Sequence, residues 1–203
     1  ETRVPAALLA DETLLREFAQ ILASAPVPVT LYLEAQPDGA QPQTSLLRAI
    51  EALAKVRDSG LLTRTGFKLR CGGVVAGAFP TIDLVANVIA ACRDGRVPLK
   101  CTAGLHHPIR RFHESVGTEM HGFINVLAAG VFAHALGTEA KLLTLVLADE
   151  EADAFHLEGQ ALAWRGLRVT SPQIAAARHA LMIGFGSCSV EEPREDLQVL
   201  NWT

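Results

Sequence analysis

Two of the four lysines in this chain, Lys68 in "GFKLRCGG" and Lys100 in "VPLKCT", lie within short apolar runs. Surface lysines ordinarily decorate helices, so this placement asks for a chemical reason. Alternation along an extended run sets Phe67 and Leu69 against Lys68 and Arg70, and Leu99 and Cys101 against Lys100 and Thr102. In "TLYLE" it sets Leu31 and Leu33 against Thr30, Tyr32 and Glu34. Paired strands lie about 4.8 Å apart, which would bring Lys68 beside Lys100. Two close cations, or burial, favour the neutral amine, and a neutral lysine attacks carbonyl carbon to form a Schiff base. The competing arrangement is an ion-pair network on Glu34 that does no chemistry.

Histidines come directly after the second lysine. His106, His107, His113 and His121 fall in "LHHPIRRFHESVGTEMH", with Pro108 forcing His107 into extended backbone. A histidine on a loop after a strand suits general acid–base work at neutral pH, which makes His106 and His107 catalytic candidates. A metal would need a third ligand such as His121, Glu114 or Cys188, and the spacing matches no standard metal motif. His121 and Asn125 stand at i and i+4 on one helix face, as ligand-binding candidates or as loop anchors. In "GFGSCSVEEP", Gly186, Ser187, Cys188 and Ser189 form a turn whose amides and hydroxyls suit a phosphate or carboxylate. Cys188 becomes a nucleophile only with a histidine beside it.

These groups need a scaffold that brings several strand ends together. Helical periods alternate with short apolar runs along the chain. Asp11 is placed to cap a helix to about Ser24, Thr44 to cap the next, and Pro80 or Thr81 to open a third that Gly95 ends. "VPVTLYLEA", "GFKLRCGG", "VPLKCT" and "LMIGFGSCS" read as strands, "QPDGAQPQ" as a polar loop, and "ALAWRGLRVTS" as a hairpin. In the last of these strands Leu181, Ile183 and Phe185 oppose Met182, Gly184 and Gly186. Strands separated by helices imply parallel pairing with right-handed crossovers. Each strand has one greasy face and one that turns polar toward its C-terminal end, the pattern of a barrel strand with functional groups at the rim. The expected fold is therefore α/β and parallel (β/α) barrel-like, as one α/β domain over 1–203. With about five strands it would be an incomplete TIM barrel lacking N-terminal strands. The opening "ETRVP" reads as a strand tail feeding a helix, which raises the expectation of a longer native protein upstream.

Composition narrows the classes. The chain has 203 residues, 49% hydrophobic and 20% charged, which indicates a globular protein with a sizeable core. A net charge of −4 argues against nucleic acid as the partner. Nothing in the given residues reads as a signal peptide or a run of 18 apolar residues, and the four cysteines have no CxxC pair. A cytoplasmic protein with reduced thiols, no membrane association and no cofactor or metal is expected, together with a homo-oligomer.

The segments "KLRCGG", "KCTAGLHHP", "HGFINV" and "FGSCSVEEP", in that order, resemble a group of uncharacterised bacterial proteins from Gly66 to the C-terminus. Those proteins carry a longer N-terminal portion, and the resemblance implies no activity. "LKCTAG" is more loosely similar to Schiff-base aldolases of the deoxyribose-phosphate type, barrels in which lysines close neighbouring strands. "KLR" is similar to a strand end of the enolase superfamily. Where that superfamily has acidic metal ligands on the following strands, this chain has Lys100 and Thr102.

The reading these observations lead to is an enzyme acting on a small anionic carbonyl metabolite, as a lyase, isomerase or dehydratase. Lys100 would be nucleophile or electrostatic stabiliser, with Lys68 and Arg70 tuning it or holding anionic groups. His106 or His107 would move protons, Glu34 would orient or act as base, and Thr102 would line the site. The Gly186–Ser189 turn would hold a phosphate or carboxylate. The alternatives are a metal-dependent hydrolase or lyase built on His106, His107 and His121, and a non-catalytic binding or interaction domain.

Overall fold

The computed structural model describes residues 1–27, 29–36 and 41–202. Residues 37–40 of the "QPDGAQPQ" loop and Pro28 of "VPVTLYLEA" lie outside the described residues. A first strand, β1 (Thr2–Pro5), runs into the short helix α1 (Ala6–Leu9) and then α2 (Glu12–Ala23). Asp11 caps α2, its carboxylate accepting from the amides of Thr13 at 2.9 Å and Leu14 at 3.1 Å. Next come β2 (Leu31–Gln36), α3 (Pro42–Asp58), β3 (Thr65–Arg70), α4 (Ile82–Asp94) and β4 (Leu99–Thr102). Thr81 caps α4 through the Leu84 amide. Thr44 does not cap α3. That helix starts two residues earlier with Pro42 at its first position, where the fixed φ and missing N–H of proline cost nothing. Gly95 does end α4, but with φ −78°. The left-handed residue that turns the chain is Arg96, φ 52°.

After β4 the chain departs from simple alternation. A small hairpin, β5 (Arg111–His113) and β6 (Thr118–Met120), precedes α5 (Phe123–Leu136) and α6 (Ala140–Ala148). The expected hairpin is a three-stranded antiparallel sheet, because β7 (Phe155–Glu158) adds to β8 (Ala161–Trp164) and β9 (Leu167–Thr170). Then follow α7 (Ser171–Ala180), β10 (Met182–Gly186) and α8 (Glu191–Val199).

The five strands β1, β2, β3, β4 and β10 form one parallel sheet in that order. Chain order and sheet order thus agree, with one-way crossovers throughout. The helices accordingly make a continuous layer: α1 and α2 against α3, α3 against α4, α4 against α5 and α6, and α5 against α7. Leu33, Phe67, Leu99 and Met182 stand side by side in register on the face beneath that layer, each 1% exposed or less. Such a row stabilises by about 1.5–3 kcal/mol per side chain. The sheet is open: β1 and β10 do not pair with each other among the described residues.

Met182 corrects the expected parity. Strict alternation would put it on the polar face with Gly184. Instead β10 bulges between Met182 and Gly184, so that Met182 pairs with Leu99 while Gly184 pairs with Lys100. The extra residue lets both halves of the strand obey burial. Met182 lies over Gly130 of α5, where a Cβ would come within 1.9 Å of its Cγ. No helix among the described residues is long and apolar enough to cross a membrane.

Candidate functional site

The polar face of the sheet carries a row of charge. Register places Arg3, Glu34, Lys68 and Lys100 on successive strands. Glu34 Oε1 accepts from Arg3 Nε at 2.8 Å, and Oε2 pairs with Lys68 Nζ at 2.9 Å. Glu1 spans the two lysines, with Oε2 2.9 Å from Lys68 and Oε1 2.5 Å from Lys100. The Lys100 ammonium also lies over the Tyr32 ring, 5.8 Å from its centre. Burial works to lower the Lys68 amine, but the bonds to Glu34 and Glu1 outweigh it and raise the amine above its ordinary value. Burial likewise works to raise Glu34, and its pairs with Lys68 and Arg3 leave it lowered. Glu1, hydrogen-bonded by Lys100 and then Lys68, falls to about 2. Lys68 and Lys100 do stand side by side, yet carboxylates hold both, and the Lys68 ammonium is favoured over the free amine.

One pleat nearer the strand ends, Arg70 pairs with Thr102 and Thr102 with Gly186. Here a cavity of about 520 Å³ opens above the sheet. Arg70, His106, His107, His113, Cys188 and Glu192 are among the residues of its wall, and neither Lys68 nor Lys100 is. Two loop tips close against each other below it. A Cβ on Gly104 would meet Gly72 Cα at 2.8 Å, so only glycine permits the approach. Ala103 and Gly104 both take the left-handed conformation, φ 65° and 67°, which turns the chain from β4 toward the histidines.

The histidines are fixed by α8. His106 Nδ1 lies 2.6 Å from Glu192 Oε2, and His106 Nε2 lies 3.2 Å from Cys188 Sγ. His106, its largest partner, lowers the Glu192 carboxyl below the usual range, so the carboxylate accepts and Nδ1–H donates. In the neutral ring Nε2 then holds the lone pair, and the Cys188 thiol donates to it. Glu192, His106 and Cys188 thus form a hydrogen-bonded carboxylate–imidazole–thiol relay on the cavity wall. His107 makes a parallel contact, Nδ1 to Asp196 Oδ2 at 2.5 Å, and stacks on His113 at 5.3 Å between ring centres. His107 Nε2 is buried without a hydrogen-bond partner.

Other expected residues are engaged elsewhere. His121 is buried and its Nε2–H donates to the Pro80 carbonyl at 2.8 Å. Burial lowers its ring, which keeps it neutral. Asn125 is fully buried. It donates to the carbonyls of Val146 and Asp149 at 2.9 and 2.7 Å and accepts from the Arg110 amide at 3.0 Å. These contacts lock the start of α5 to the chain before and after it, and neither residue lines the cavity. Ser187 Oγ accepts from the Ser189 amide and Ser189 Oγ from the Glu192 amide, so the serines of the Gly186–Ser189 turn start α8. Among the described residues no group of three or more His, Cys, Asp or Glu is placed to hold a metal ion.

Sequence reasoning passed over Glu192 and Asp196. The signal was present: a serine three residues before Glu192, a proline in the first turn, and carboxylates at i and i+4. Comparison of the chain with protein-family models, with curated proteins and with solved structures gave no match.

Proposed function

We propose that the protein is an enzyme acting on a small anionic carbonyl compound, and that its reacting group is Cys188 activated by His106. The observation that carries this reading is the relay of 2.6 and 3.2 Å from Glu192 through His106 to Cys188 on the wall of a cavity of small-molecule size. The sheet is read as an arc of a (β/α) barrel, and the cavity then sits at the carboxyl ends of its strands, where barrel enzymes place their chemistry. The lysine row beneath serves as a fixed electrostatic layer rather than as the nucleophile.

The reaction that fits is acyl transfer. His106 Nε2 takes the thiol proton as sulfur attacks the carbonyl carbon and a carbon–sulfur bond forms. The bond from that carbon to the leaving group breaks, and the leaving group departs with the proton from His106. Water, deprotonated by His106, then cleaves the thioester, and the proton returns to sulfur. Glu192 holds the ring in the tautomer this needs and stabilises its charged form.

Iodoacetamide labelling of the native protein tests the reading, since Cys71, Cys92 and Cys101 are buried and Cys188 is exposed. Cys188 should label first, and His106→Gln should slow it about 10-fold at neutral pH. A rate indifferent to His106→Gln removes the proposal.

A further inference from the structure

We infer that the compound acylating Cys188 carries a carboxylate at the far end of a short acyl chain, and that Arg70 binds it. This rests on the cysteine reading above and names its substrate class.

Among the described residues, Arg70 is the only lysine or arginine in the cavity wall. Its Nε donates to the Gly72 carbonyl at 3.0 Å, which fixes the guanidinium at the rim. Its carboxylate neighbour among the described residues, Glu34, is 4.0 Å from Nη1, beyond hydrogen-bond reach, and is already bonded to Arg3 and Lys68. Both Nη groups are therefore without a hydrogen-bond partner among the described residues. A guanidinium presents its donors as a planar fork that matches a carboxylate with two parallel bonds.

Hydrogen-bond accounting in the wall points the same way. Glu192 is already engaged as acceptor of the His106 ring, whereas neither Nη group of Arg70 has an acceptor within hydrogen-bond distance among the described residues. One guanidinium with both Nη groups free suits one carboxylate. A phosphate dianion would be left with excess negative charge near Glu192. Register sets the span: Arg70, Thr102 and Gly186 lie on three adjacent strands, about 10 Å from first to last, with Cys188 two residues further on. After the reach of the arginine side chain, a chain of about four or five carbons bridges the remainder.

The test compares two activated esters of equal chain length, 4-nitrophenyl hydrogen glutarate and 4-nitrophenyl pentanoate. Both rates are corrected for hydrolysis in Cys188→Ala protein, and acylation of Cys188 is read by mass spectrometry. The wild-type protein should react at least about 10-fold faster with the glutarate ester. Arg70→Gln should bring the ratio close to one, and Arg70→Lys should restore part of it. Equal wild-type rates overturn the inference while leaving Cys188 as the nucleophile, and they require no variant to fold. A preference that survives in Arg70→Gln overturns it as well. If neither ester acylates Cys188, the cysteine reading fails and the inference with it.

Discussion

His106 and Glu192, 86 residues apart in the chain, meet at 2.6 Å because α8 lies against the loop that follows β4. That contact decides which nitrogen of His106 faces Cys188. Glu192→Gln keeps the size of the side chain but offers the ring a donor as well as an acceptor. Alkylation of Cys188 by iodoacetamide at pH 7 should slow about 10-fold or more, and its pH profile should shift, since the imidazolium loses its counter-charge. Unchanged kinetics and profile would show that Glu192 does not orient the ring.

The lysine row gives a chemical prediction of the opposite sign. Lys68 is held by two carboxylates and raised in pKa, and Lys100 is bonded to Glu1. Borohydride reduction in the presence of small aldehydes should label Lys68 and Lys100 no faster than the helix lysines Lys55 and Lys141. A fast, selective adduct at Lys100 restores the Schiff-base reading.

The same row predicts how stability depends on pH. Glu34 is depressed below its ordinary 4.5, so its contribution is complete above that value and is lost as pH falls through the folded-state pKa. Lys68 is raised above its ordinary 10.5, so its contribution is complete below that value and is lost as pH rises through the folded-state pKa. Glu34→Gln should cost about 2 kcal/mol at pH 7 in urea unfolding, because Lys68 and Arg3 lose a buried partner. The gap between variant and wild type should narrow as pH falls below 4.5.

Gly130 sits inside α5, where alanine ordinarily adds about 1 kcal/mol of helix propensity. Here the added methyl would collide with Met182. Gly130→Ala should therefore destabilise by about 1–3 kcal/mol, and Met182→Ala in the same chain should recover part of that loss. Thermal unfolding of the two single variants and the double variant measures this coupling.

Asp149 follows α6 and is 7% exposed. It accepts from Trp164 Nε1 at 2.8 Å, from Arg165 Nε at 2.9 Å and from the Glu151 amide at 3.1 Å. Asp149→Ala leaves those donors without their acceptor and should cost about 3 kcal/mol. Tryptophan fluorescence should report the loosening of the three-stranded sheet around Trp164.

Much of the fold was legible because it follows from local rules. Alternation in "FKLR" and "PLKC" placed Lys68 and Lys100 on one face, and the apolar residues between them on the other. Asp11 and Thr81 announced their helices by capping chemistry. Local rules also misled. Met182 was assigned to the wrong face because a bulge is invisible to strict alternation, and only the burial of Met182 against Gly130 requires it.

The candidate site divides along the same line. From the sequence alone came the parallel α/β scaffold, the lysines and Arg70 on its polar face, and the histidines on the loop beyond. All of these depend on spacing within a few residues. The partners came only from tertiary structure. Whether Lys100 bonds Glu1 or Glu34, whether His106 reaches Cys188, and which carboxylate backs it are decided by how β1 and α8 lie against the middle of the sheet. Those contacts join residues more than eighty positions apart. Hydrophobic periodicity records which face of an element is buried, but it carries no record of which distant polar group lies opposite.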